Sequence, residues 1–283
     1  LLVLSAAVLA AFVAWERRAP EPLLPLRLFG NRMFRAAAVS GFLAGMAMFG
    51  TISFVPLFVQ GVLGGTATEA GTALTPFVLG WVTLSVVSAR LLLRVGYRSP
   101  VLAGMTCLAV AFLLMSDMGP DASRGVTARN MLLAGMGMGL VMVPLLIAVQ
   151  NGVPRRDLGA ATSATTFFRS IGGAVGVAVM GAVLSWQLAR ALATVDAPGL
   201  SPADLAALVA HPDAVVHPVL RLSLPPAVLT AFSAALAQAL HGVFVVGFGI
   251  ACLALASAFL VPAGRAQDLA LDPARATDAT PGR

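Results

Sequence analysis

Two stretches place a proline and side-chain amides inside apolar surroundings. They are Pro56 and Gln60 in Pro-Leu-Phe-Val-Gln-Gly, and Pro144, Gln150 and Asn151 in Pro-Leu-Leu-Ile-Ala-Val-Gln-Asn-Gly. Proline removes an amide donor and kinks a helix, which hydrocarbon tolerates only where a neighbour or a cavity satisfies the freed carbonyl. These five residues are therefore candidate cavity or gate elements. Arg169, in Phe-Phe-Arg-Ser-Ile-Gly-Gly, sits closer to an apolar run than a snorkelling arginine requires. It either pairs with a carboxylate at the membrane face or reaches the lipid headgroups. Bond-breaking chemistry finds no set of residues. Cys107 and Cys252 fall inside apolar runs and read as packing, and His211, His217 and His241 lack partners at metal-ligand spacing. With no nucleophile–base set, metal pair or intramembrane aspartate pair, neither an enzyme nor a bound metal or cofactor is expected.

The elements that position these groups must be lipid-embedded helices. The 283 residues are 59% hydrophobic and only 11% charged, against roughly 25% charged in a soluble domain. A helix needs about 20 apolar residues to cross a bilayer. Six stretches qualify: 36–60, 72–93, 101–116, 131–150, 165–187 and 241–261. Residues 1–14 are too short to span and read as the end of a truncated transmembrane helix. The expectation is an all-α polytopic membrane protein, with six complete transmembrane helices as an inverted 3+3 repeat after that helix end. An arginine-rich linker covers 15–35, the bundle 36–262 with a long outer loop at 188–240, and a disordered polar tail 263–283. Ser201-Pro202-Ala203-Asp204 is a helix start, and 228–240 has the pattern of an interfacial helix before the last span.

All 18 cations are arginines, and they gather on alternate connections: 17–35, 90–98, 155–169 and the tail. Only Arg124, Arg129, Arg190 and Arg221 fall on the other side. Arginine near span ends is retained in the cytoplasm, so the linker, the Arg90–Arg98 turn and the carboxy terminus are expected there, in a cell (inner) membrane. The net charge of +6 follows span ends rather than one basic patch, which argues against nucleic acid. All twelve carboxylates lie outside the apolar runs or at their ends. No mid-membrane acid is available for ion coupling.

Pro56 and Pro144 each belong to the first helix of a triplet, and those two helices run in opposite directions. Paired, proline-interrupted spans at corresponding positions of inverted triplets point to a transporter's substrate path. Small residues at four-residue spacing, Gly41 with Gly45, Gly135 with Gly139 and Gly172 with Gly176, suit close helix packing in lipid. Met46, Met48, Met136, Met138 and Met142 are soft fillers, either of core or of a hydrophobic cavity.

Residues 15–29, Trp-Glu-Arg-Arg-Ala-Pro-Glu-Pro-Leu-Leu-Pro-Leu-Arg-Leu-Phe, resemble the linker before the second bundle of fourteen-helix drug:proton antiporters of the major facilitator superfamily. The resemblance continues through Pro56–Gln60, Glu69-Ala70-Gly71, Thr75-Pro76 and the run Phe168-Arg169-Ser170-Ile171-Gly172-Gly173. The turn around Arg94, Gly96 and Arg98 resembles the superfamily's cytoplasmic gating motif, with Ala89 and Leu93 departing from it. The resemblance implies the carboxy-terminal half of an efflux carrier, with Arg94, Gly96, Arg98 and Arg169 as a cytoplasmic latch. It also implies an amino-terminal bundle missing from this chain, protons and a small hydrophobic substrate as partners, besides the lipid bilayer. An uptake or facilitative permease of the same fold and a half-size scaffold are the alternatives.

Overall fold

The computed structural model describes Trp15 and residues 26–193 and 226–263. The expected helix end at 1–14, most of the linker, the helix start at Ser201 and the tail after 263 lie outside those residues. Six long helices follow one another: α1 (Arg32–Leu57), α2 (Thr75–Val95), α3 (Arg98–Ser116), α4 (Arg124–Gly152), α5 (Leu158–Ala193) and α6 (Pro226–Ala258). All six are long and apolar enough to cross a membrane, and no strand occurs among the described residues. This is an all-helical, polytopic membrane fold.

Local chemistry sets the helix ends. Asn31 caps α1 by accepting hydrogen bonds from the amides of Met33 (2.8 Å) and Phe34 (3.2 Å). Ser123 caps α4 through the amide of Val126. A capping box of Thr66 and Glu69 starts the short helix Ala67–Thr72 that leads into α2. Gly96 ends α2 at φ 77°, a conformation that costs a residue with a Cβ, and its amide donates to the carbonyl of Leu92 at 3.1 Å. Beyond Pro56, α1 loosens into a π turn over Phe58–Val62, closed by the Leu63 amide on the Phe58 carbonyl at 3.2 Å.

One expectation is corrected here. The interfacial helix at 228–240 and the last span are a single helix, α6, of 33 residues. No proline interrupts the chain between Pro226 and Ala258, and the stretch around Leu236 is apolar enough to bury. Phe232, Leu236 and Leu240 sit in the core, and Leu236 fills the space beside Gly61. Helix α5 likewise runs to Ala193, past the expected loop start at 188.

The packing follows the repeat. The most extensive interfaces are α2 with α4 and α1 with α5, so the first helix of each triplet lies on the second helix of the other. Gln60 with Gln150 and Gly45 with Gly135 both stand 90 residues apart, which gives the register of the first helices of the two triplets. Glycines set the approach at both crossings. A Cβ on Gly135 would overlap the Phe77 carbonyl, and one on Gly139 would stand 2.5 Å from the Trp81 carbonyl. At the other crossing, Gly45 lies on the Arg169 carbonyl and Gly172 on the Phe42 carbonyl, while a Cβ on Gly176 would stand 2.5 Å from Met46 Cα. Gly41 departs from its expected packing role, because a Cβ there meets no atom within 4 Å.

Interior polar groups are paired, as the low dielectric requires. The Ser40 and Ser257 hydroxyls meet at 2.9 Å between α1 and α6, and the Ser88 hydroxyl donates to the Gly139 carbonyl at 3.1 Å. The Asn130 amide donates to the Leu114 carbonyl at 3.2 Å. His241 holds the end of α3 through Nδ1 and the Ser116 carbonyl at 2.5 Å. A carbonyl only accepts, so the imidazole proton sits on Nδ1. By contrast, α2 and α5 expose apolar rows, among them Val78, Val82 and Val86 on one and Ile171, Val175 and Val179 on the other.

Substituting alanine at Gly45, Gly135 or Gly172 should force the helix pairs apart and cost about 1–3 kcal/mol. Gly41→Ala should be neutral or stabilising by up to about 1 kcal/mol, because it only removes helix-interior glycine. Thermal unfolding of the detergent-solubilised protein measures both, and equal effects at Gly41 and Gly135 would refute the packing assignment.

Candidate functional site

Four helices enclose a cavity of about 240 Å³. Its wall includes Gly41 of α1, Trp81 of α2, Met142 and Leu146 of α4, and Thr165 and Arg169 of α5. These are the first and second helices of both triplets. The glycine crossings determine this wall: the Trp81 carbonyl lies on Gly139 and the Arg169 carbonyl on Gly45, so both side chains project from backbone held against a neighbouring helix. The open space over Gly41 belongs to the same cavity.

Depth follows from helix geometry. At 1.5 Å per residue, Arg169 lies about 16 Å along α5 from Leu158, and Met142 about 15 Å along α4 from Gly152. Both rulers place the guanidinium about three turns in from the arginine-rich end. The Arg169 Nη1 lies 3.4 Å from Met142 Sδ, a weak acceptor. Among the described residues it forms no ion pair.

The other expected site residues are distributed along α1 and α4. Pro144 is buried in α4 between lining residues Val143 and Leu145, so the break in the α4 hydrogen-bond ladder lies at cavity depth. Gln150 and Asn151 lie further along, outside the cavity wall. The Gln150 amide donates to the Thr162 hydroxyl at 3.4 Å, and the Asn151 amide to the Tyr97 hydroxyl at 2.7 Å. Pro56 and Gln60 stand near the opposite end, with Gln60 inside the π turn. A second, smaller cavity of about 170 Å³ lies there, beside the Glu69–Arg124 ion pair at 2.5 Å.

The arginine-rich end is tied together by residues other than the expected latch set. Arg27 donates to Asp157 at 2.6 Å, and Arg156 approaches the same carboxylate at 3.9 Å. The Asp157 side chain is only 5% exposed, yet it is charge-paired and stands at the start of α5, where a helix favours negative charge. Asn31, besides capping α1, donates to the Gly152 carbonyl at 2.5 Å and so joins the start of α1 to the end of α4. Arg94 is exposed and makes no ion pair among the described residues. Arg98 lies over the Phe259 ring at 5.3 Å. Gly96 shapes the turn that delivers Tyr97, fully buried, to Asn151. A usable signal for Asp157 existed: it is the sole carboxylate between Asp121 and Asp196, set directly after two arginines.

Comparison with known proteins agrees with this architecture. The family model for the Major Facilitator Superfamily matches residues 1–177. The multidrug transporter protein MdtP of Bacillus subtilis is 39% identical over 177 residues, 62% of this chain and 33% of that protein. An uncharacterized MFS-type transporter of Mycobacterium tuberculosis is 36% identical over 261 residues, 89% of this chain and 37% of its own length. Multidrug resistance protein 3 of B. subtilis is 30% identical over 246 residues, 86% of this chain and 48% of its own. The chain thus spans between a third and a half of the length of these relatives. A bundle of six spanning helices, crossed in pairs at glycines around a cavity and matched by the family over most of its length, belongs to the Major Facilitator Superfamily.

Proposed function

We propose that this chain forms one bundle of an efflux transporter that exports small hydrophobic compounds in exchange for protons. The cavity carries the reading. Its wall is mostly apolar, with one cation and two threonines, and its volume is below the roughly 300–1,000 Å³ of a complete drug-sized pocket. A site completed by a second bundle fits that deficit. Alternating access then rocks the two bundles around the midplane site. The names of the multidrug relatives support the same substrate class.

In this reading the proton-coupling acid belongs to the other bundle. The described carboxylates Glu69, Asp117, Asp121 and Asp157 all stand at helix ends or in connections, where they cannot charge and discharge within the substrate path. The arginine-rich end faces the cytoplasm of a cell membrane, as the charge bias requires. There the Arg27–Asp157 and Asn31–Gly152 contacts make the bundle move as one body. The gating role of the Arg94–Arg98 turn runs through Gly96 and the Tyr97–Asn151 hydrogen bond. Pro56 and Pro144 supply the bends, and Gln60 and Gln150 line the two approaches to the cavity.

Everted membrane vesicles containing the protein from its complete reading frame should accumulate ethidium when energised and lose it on adding a protonophore. Accumulation that ignores the proton gradient would overturn the coupling. Pro144→Ala restores an amide donor to α4 and should lower turnover severalfold while leaving expression and ethidium affinity within twofold. Asn31→Ala and Asp157→Asn should each cost about 1–2 kcal/mol in thermal unfolding. Wild-type stability in both variants would remove these contacts from the bundle's rigid end.

A further inference from the structure

The cavity holds a cation that meets no anion among the described residues. Arg169 carries five N–H donors, and the acceptor it meets in the cavity is the thioether of Met142 at 3.4 Å. No carboxylate lines the cavity among the described residues. A guanidinium on a membrane-spanning helix is expensive wherever it meets hydrocarbon without compensation, and inside a bundle it normally marks a substrate or ion path. Its surroundings are suited to one kind of partner. The Thr165 hydroxyl donates to the Thr162 carbonyl at 2.8 Å, which directs its lone pairs elsewhere, whereas Thr166 is exposed on the cavity wall with its hydroxyl proton free of any internal bond among the described residues. Trp81 and Leu146 add apolar surface to the same cavity. A planar guanidinium with a neighbouring hydroxyl matches an oxyanion in two-point geometry, and the apolar wall matches a hydrophobic body.

We propose that Arg169 is the anion-recognition residue of the transport cavity, so that the substrates include amphiphiles bearing a carboxylate or sulfonate. This rests on the transport reading above and adds a charge class to it. The same oxyanion chemistry has a second source, a carboxylate side chain elsewhere in the transporter. The position has no cationic counterpart in the other triplet: the crossing that sets Arg169 against Gly45 sets Phe77, buried and apolar, against Gly135. The charge therefore belongs to one half of the site rather than to the repeat.

The test uses the protein from its complete reading frame, reconstituted in liposomes, with 8-anilinonaphthalene-1-sulfonate as the anionic probe and ethidium as the cationic one. Binding of the sulfonate is read as the energy transfer that disappears in a Trp81→Phe variant. Arg169→Gln should weaken sulfonate binding at least tenfold. Arg169→Lys should fall between, because ammonium keeps the charge and loses the two-point geometry. Thermal unfolding of both variants checks that the bundle persists, and the lysine variant carries the test if glutamine prevents folding. Sulfonate affinity unchanged in a folded variant would overturn the proposal. If ethidium efflux also collapsed in that variant, the guanidinium would be assigned to a carboxylate of the transporter itself. Absence of ethidium efflux in the unsubstituted protein would count against the efflux reading and leave the sulfonate measurement intact.

Discussion

Backbone-to-backbone contact at glycine is the constraint on which the rest of the bundle depends. Lipid tails are as apolar as leucine, so burying side chains gives helices little reason to associate inside a membrane. Close approach and the dispersion gained with it must supply the attraction. Gly135 and Gly139 let α4 rest on the carbonyls of Phe77 and Trp81, and Gly45, Gly172 and Gly176 do the same between α1 and α5. These two crossings are the most extensive interfaces of the fold. They also fix the cavity, because Trp81 and Arg169 extend from the backbone atoms that the glycines touch.

The scaffold is close to symmetric, and its chemistry is not. Equivalent crossings recur in the two triplets, and two pairs of residues keep a common offset of 90. Yet among the described residues only one triplet places a cation in the wall. The prolines show the same divergence. Pro144 sits buried at cavity depth, whereas Pro56 precedes a π turn near the opposite end. The paired glycine crossings account for the shared framework, while a binding site requires unlike walls to orient a solute.

Polar contacts divide by place. Within the bundle they are neutral and short in reach, such as Ser40 with Ser257 and Asn130 with the Leu114 carbonyl. Ion pairs among the described residues stand at the two ends: Arg27 with Asp157, and Arg124 with Glu69. Solvation explains the division, since a charge pair loses its hydration in hydrocarbon and keeps part of it near the headgroups. Arg169 is the exception.

Hydrophobic length alone determined the number of spans, because a 30 Å slab demands about 20 apolar residues whatever the packing. The glycine spacing also announced two of the crossings, since few residues other than glycine permit backbone contact. Tertiary structure decided the facing. Gly41 shares the spacing of Gly45 but opens onto the cavity, a distinction that depends on where α5 lies. The stretch 228–240 has a half-polar pattern that suits an interface, and it joins α6 because Gly61 leaves room for Leu236. Asn151 and Tyr97, Asn31 and Gly152, and Arg27 and Asp157 meet across 54 to 130 residues of chain. No local pattern encodes such meetings, because each depends on how whole helices cross. Arg169 combines both levels: its type and neighbourhood were unusual in sequence, and only the crossing at Gly45 aimed it into the cavity.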